Sequence, residues 1–212
     1  MKIPLTLKLK KESHKKIAAA QDIIVQELYS VFNNAVLHGG TAIWRCYDAN
    51  RFSEDIDVYI KKDIAKINLL FSNLEKRGFV VEKKKIGENS LYSSMLFDRV
   101  YVRFEALFKK VDGSLKEYEN IDGNLTTVYT LTPEEFIHEK TAAYLKRFKV
   151  RDIYDIFFML RHVTDAADIK DELNKLIKEF KMPVDEKELK ILILEGVVPT
   201  VEKMIDYIKS KI

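Results

Sequence analysis

The chain has little of what would place it in several large protein classes. A single cysteine, Cys46, excludes an internal disulfide framework and a multi-cysteine zinc site. Seven glycines and four prolines in 212 residues leave little material for long flexible linkers. The uncharged stretches of the apolar N-terminal helix fall far short of the roughly 18 apolar residues that a membrane span requires. The first eleven residues lack an apolar h-region and a small-residue cleavage site, so they do not read as a signal peptide. No Gly-Lys-Ser or Gly-Lys-Thr occurs, which disfavours a P-loop nucleotide site. A soluble, cytoplasmic protein without a membrane partner is expected.

What is present suits a folded chain of one large domain or two small ones, with 47% hydrophobic and 33% charged residues. Only eight of the 36 basic residues are arginine, so each arginine is conspicuous. The formal net charge of +3 is too small to announce a nucleic-acid binder, but it conceals local bias. Residues 1–16 carry +5, residues 76–85 carry +4 and residues 140–151 carry +5, so the remainder is acidic.

Periodicity divides the chain in two. A helix is predicted over residues 13–32 with Ser13 as its cap, then a short strand over 35–38 ending at Gly39-Gly40, and a helix over 41–47. Residues 56–60 alternate as a strand, and 62–77 form an amphipathic helix stopped by Gly78. Three strands follow over 79–86, 91–97 and 100–108, the last two joined by a tight turn at Asp98-Arg99. A loop region leads to a strand over 127–131. From Thr132-Pro133-Glu134-Glu135, a cap, an N1 proline and a capping-box glutamate, the rest reads as helices. The expected architecture is α+β over residues 1–131, with a mixed sheet and flanking helices, followed by a helical bundle over 132–212.

The chemistry concentrates in Leu37-His38-Gly39-Gly40-Thr41-Ala42 and Arg51-Phe52-Ser53-Glu54-Asp55-Ile56-Asp57. Asp55 and Asp57, at i and i+2 of a strand, point to one face, where a hard divalent cation would relieve their repulsion. Gly39-Gly40 opening a helix supplies backbone N–H groups and the positive end of its dipole, a seat for phosphate, and Thr41 adds a hydroxyl. Glu105 offers a third carboxylate from a strand that could pair beside Asp57. Three carboxylates next to a phosphate seat are the parts of metal-assisted nucleotidyl transfer, in which two Mg²⁺ clamp the attacking and leaving oxygens. His38, His138 and His162 lack metal-ligand spacing and receive no chemistry.

These residues resemble the nucleotidyltransferase superfamily with the DNA polymerase beta-type fold, and within it the AbiEii/AbiGii toxin branch. The resemblance extends to Glu139-Lys140-Thr141 and to Arg151-Asp152-Ile153-Tyr154-Asp155, and covers about residues 37 to 160. It implies that Gly39, Gly40 and Thr41 cradle the triphosphate of an NTP substrate. Asp55 and Asp57 hold Mg²⁺, and Glu105 serves as third ligand or base. Arg51 and Ser53 line the phosphate path, Lys140 meets phosphate or base, and Asp152, together with Asp155, completes the site or orients Lys140. It further implies a toxin of a toxin–antitoxin pair, with a cognate antitoxin as partner and tRNA as acceptor. The alternatives are nucleotidylation of a protein or a small molecule, or a non-catalytic nucleotide- or RNA-binding module of the same fold.

Overall fold

In the computed structural model, which describes residues 4–212, the chain forms two compact units. The first comprises residues up to Asp48 together with Phe52–Thr130, and the second comprises Ala49–Arg51 with Leu131–Ile212. The first three residues of the basic leader lie outside the described residues.

The first unit begins with a single turn, α1 (Leu5–Lys8), and a long helix, α2 (Glu12–Val31). Helix α2 starts one residue before Ser13, and its N-cap is Lys11, whose side chain makes no capping bond. Then come β1 (Val36–His38), α3 (Gly39–Cys46), β2 (Asp55–Ile60) and α4 (Ile64–Lys76). The remaining strands are β3 (Val80–Ile86), β4 (Ser90–Phe97), β5 (Val100–Phe108), β6 (Ser114–Glu119) and β7 (Leu125–Thr130). They form one seven-stranded mixed sheet in the order β3-β4-β5-β2-β1-β7-β6. The pairs β2–β5 and β1–β7 are parallel and the others antiparallel.

Asp98 and Arg99, both at positive φ (41° and 68°), make the two-residue β4–β5 turn that right-handed strand twist favours. Strand β6 lies where a loop is expected. Its sequence, Ser-Leu-Lys-Glu-Tyr-Glu, buries only Tyr118 and Glu119, so its apolar signal is weak and its pairing with β7 defines it.

Alternation along the central strands sets which face is covered. Ile56, Val58 and Ile60 of β2 and Val102, Phe104 and Ala106 of β5 are buried. Phe104 meets Phe71 of α4 edge-on, with ring centroids 6.3 Å apart, and α2 packs against α4 and β5. A strand buried on one face must place its odd neighbours on the other. Asp55 and Asp57 therefore share the opposite, half-buried face.

The second unit is helical: α5 (Pro133–Arg147), α6 (Val150–Met159), α7 (Lys170–Lys178), α8 (Leu189–Leu192) and α9 (Val201–Lys209). Helix α5 starts with the expected capping box between Thr132 and Glu135 and ends at Phe148, in the left-handed region at φ 49°. Residues 166–169 and 186–188 are 3₁₀ turns where continuous helices are expected, so the third and fourth helices are shorter than their apolar spacing suggests. Residues 49–51 join this unit through an Arg51–Ile193 bridge and a hydrogen bond from the Leu194 N–H to the Asn50 carbonyl. None of the described helices is long and apolar enough to cross a membrane.

Candidate functional site

Strand β1 runs directly into α3, and the reversal occurs at Gly39, where φ is +71°. An L side chain there would be strained, and an added Cβ would lie only 2.1 Å from Oδ2 of Asp57. Glycine is thus required both for the backbone angle and for close approach of the carboxylate. Gly39→Ala is expected to lower the melting temperature and to reduce nucleotidyl transfer at least about 100-fold, because either the turn or Asp57 must move. Thermal melts and transfer assays on one preparation check both effects, and normal activity in a stable variant would refute the close approach.

Asp57 sits at the centre of a lateral row. Its register partners are His38 on β1 and Glu105 on β5, and Glu105 in turn faces Tyr92 on β4. All four line one cavity of about 220 Å³. Burial raises the Glu105 carboxyl above its ordinary range, and the Asp57 and Asp55 carboxylates push it in the same direction; Arg103 and His38 oppose. Asp55, one register step away, is held bidentately by Arg103 at 2.6 and 2.7 Å.

The donor set suits a hard divalent cation. It is all-carboxylate, burial and then the neighbouring acids raise the Glu105 carboxyl, and it borders the N-terminus of α3. Among the described residues, no three such groups already converge as a metal site. Arg103 engages the Asp55 carboxylate beside Asp57 and Glu105.

The other residues singled out near Gly39 act through the backbone. Thr41 is buried, and its hydroxyl donates to the Asp55 carbonyl at 2.5 Å. Gln21 Nε2 donates to the Ser53 carbonyl at 2.9 Å. These bonds fix the strand entry that carries Asp55 and Asp57, so the Thr41 hydroxyl is engaged within the protein.

In the helical unit, the buried Lys140, Asp152 and Asp155 form an ion-pair network with the buried Arg51 and the exposed Arg147. Arg51 donates Nε and one terminal nitrogen to Asp155 at 2.7 and 2.8 Å, and Lys140 Nζ reaches Asp155 at 2.7 Å. Asp152 lies 4.0 Å from Lys140 and instead accepts a bidentate pair from Arg147. The two carboxylates are fully buried. Burial alone would raise the Asp155 carboxyl, but Arg51 and then Lys140 more than reverse this, so it is held below the ordinary range. The guanidinium that the resemblance assigns to the phosphate path is therefore engaged by Asp155. Between Asp152 and Asp155, it is Asp155 that contacts Lys140 most closely.

The structure thus unites Gly39, Asp57 and Glu105, keeps Asp55 alongside under Arg103, and places Arg51, Lys140, Asp152 and Asp155 in one network of the helical unit. Tyr92 and Arg103 escape the sequence reading, which names His38 but gives it no chemistry. His38 directly precedes Gly39, and Arg103 precedes Glu105 by two residues on a strand, but only the pairing register shows which carboxylate each one faces.

A family model described as "Nucleotidyl transferase AbiEii toxin, Type IV TA system" matches residues 23–204. No curated protein matches the chain. The crystal structure of JHP933 from Helicobacter pylori is similar over 95% of this chain and 90% of its own, with a TM-score of 0.66 and 20% identity. An inferred nucleotidyltransferase from H. pylori gives the same TM-score and identity over 95% of this chain and 93% of its own. The antibiotic-resistance factor ANT(2'')-Ia covers 76% of this chain and 91% of its own, with a TM-score of 0.50 and 13% identity. At these identities the solved structures speak for the fold.

Proposed function

The chain belongs to the AbiEii nucleotidyltransferase toxin family, and from that premise we propose that it transfers a nucleoside monophosphate from an NTP to a hydroxyl of tRNA in a Mg²⁺-dependent reaction. The observation that carries the reading is the juxtaposition of Asp57 and Glu105, register partners on parallel strands, with the Gly39 turn that opens α3. Backbone N–H groups and the helix dipole at Gly39-Gly40 hold the triphosphate. Asp57, Glu105 and, once released by Arg103, Asp55 are the residues to hold Mg²⁺, which when bound would supply charge neutralisation at the α-phosphate.

Glu105, whose carboxyl is raised above its ordinary range by burial and by its acidic neighbours, takes the proton of the acceptor hydroxyl. The acceptor oxygen bonds to the α-phosphorus, the bond from that phosphorus to the β-phosphate oxygen breaks, and pyrophosphate leaves. Positioning and electrostatic stabilisation dominate the rate. As the toxin of a pair, the chain would be silenced by a cognate antitoxin.

The test incubates the protein with each labelled NTP, Mg²⁺ and total tRNA or a protein lysate, alongside Asp57→Ala. Label in RNA that disappears in the variant supports the reading. Label confined to protein would overturn the tRNA assignment, and absence of pyrophosphate with every acceptor would overturn the transfer itself. Arg103→Gln is expected to lower the Mg²⁺ concentration giving half-maximal rate, because Asp55 then has no cation to exchange. A Mg²⁺ titration of wild type and variant decides this, and coincident curves would show that the clamp does not compete.

A further inference from the structure

The acidic face of the sheet continues into a lysine-lined cavity that the transfer chemistry leaves unexplained. This cavity, of about 700 Å³, lies where β2 and β5 end and β1 begins. Val36, Tyr59 and Tyr129 are register partners on three adjacent strands and line it, with Phe108 beside them. Exposed lysines surround these side chains: Lys61 and Lys62 follow β2, and Lys109 and Lys110 follow β5. Lys62 is tied down by the Gly87 and Glu88 carbonyls at 2.9 and 3.1 Å, and Lys109 lies over the Tyr59 ring at 5.7 Å. Asp112 is the single acid in the lining, so the rim is strongly cationic.

The cavity adjoins the carboxylate pocket. Tyr59 of the cavity stacks on His38 of the pocket with ring centroids 4.1 Å apart. Tyr59 also follows Asp57 by two residues on β2, a step of about 7 Å on the same face.

We propose that this cavity seats the single-stranded segment of the acceptor RNA next to the nucleotide whose hydroxyl reaches Asp57 and Glu105. This rests on reading those two carboxylates as the transfer centre. Apolar and aromatic side chains ringed by lysines match a nucleobase flanked by phosphodiesters, and the volume suits a nucleotide-sized group. Flexible ammonium groups on two separate strand ends suit the repeated phosphates of a chain; the compact triphosphate already has its seat at Gly39-Gly40. A base-paired acceptor could not insert a base here, so the site selects an unpaired strand.

The experiment measures anisotropy of a labelled single-stranded RNA of about ten nucleotides, using transfer-inactive Asp57→Asn protein. Neutralising the rim with Lys61→Gln and Lys109→Gln together is expected to weaken binding about ten-fold, and to make the log–log salt slope shallower by about 1.4, for two lost phosphate contacts. NTP binding and the melting temperature stay unchanged, and the paired Lys61→Arg and Lys109→Arg changes retain affinity. Equal RNA binding with and without the lysines, or equal affinity for a duplex of the same length, overturns the proposal. RNA binding that depends on these lysines, in a protein that labels no RNA, would preserve this site while refuting tRNA transfer.

Discussion

Asp57→Asn is expected to lower kcat for nucleotidyl transfer by at least about 10³-fold while leaving NTP affinity within a few-fold of wild type. The split follows from position. The triphosphate seat belongs to the backbone around Gly39-Gly40, which asparagine does not alter. The negative charge at the centre of the His38–Asp57–Glu105 row belongs to Asp57 alone. Asparagine is nearly isosteric, so its amide keeps the packing against Gly39 and removes only the charge. With that charge gone, the Glu105 carboxyl loses one of the groups that raise it, and it returns toward the ordinary carboxylate range. Single-turnover kinetics with NTP titration separate the two parameters. A variant that kept wild-type kcat would remove Asp57 from the chemistry, and one that merely lost NTP affinity would relocate it to ground-state binding.

The second large effect concerns stability. Asp155→Ala leaves Arg51 and Lys140 buried with their shared carboxylate gone, and the expected loss is about 3–5 kcal/mol. Lys140→Met is expected to cost much less, since Asp155 keeps its bidentate Arg51. Denaturant unfolding of both variants tests the asymmetry, and equal small losses would show that the network contributes nothing to the helical unit.

The same pair gives a pH dependence. Asp155 is held below its ordinary range in the folded protein, so its contribution is fully present above the unfolded carboxylate value and is lost as pH falls through the folded one. Wild type should therefore lose more stability than Asp155→Asn between about pH 5 and pH 3. Parallel melts across that range would refute the linkage.

The network bears on the basic stretch at residues 140–151. As sequence, five cations without an acid stand out as a local basic segment. As structure, Lys140 is buried against Asp155, and Arg147, itself exposed, pairs with the buried Asp152. The lysines that gather around the cavity, at 61, 62, 109 and 110, come from pairs too short to register as charge runs. Charge counted along the chain missed both, because strand pairing and helix packing, rather than sequence proximity, determine which ions meet.

Local rules made much of the fold legible. The period of α2 and α4, the alternation of β2 and β5, the Asp98-Arg99 turn and the Thr132 capping box all rest on contacts within a few residues, and the sequence carries those directly. The same locality exposed Gly39-Gly40 and the Asp55/Asp57 spacing, and with them the nucleotidyltransferase family. The seven-strand order and the transfer of residues 49–51 to the helical unit rest on partners far along the chain, whereas β6 pairs with the neighbouring β7 and is hidden by its weak apolar alternation. Alternation says that a strand has two faces, but it does not say which strand lies beside it.

The candidate site divides along the same line. The sequence by itself determined the residue types, three carboxylates and a glycine turn, and hence the class of reaction. Tertiary structure alone decided that Asp57 lies between His38 and Glu105, that Arg103 holds Asp55, and that Arg51 serves Asp155. The physical reason is that charge interactions depend on distance and burial, and both are set by register and packing between segments that the sequence keeps tens of residues apart.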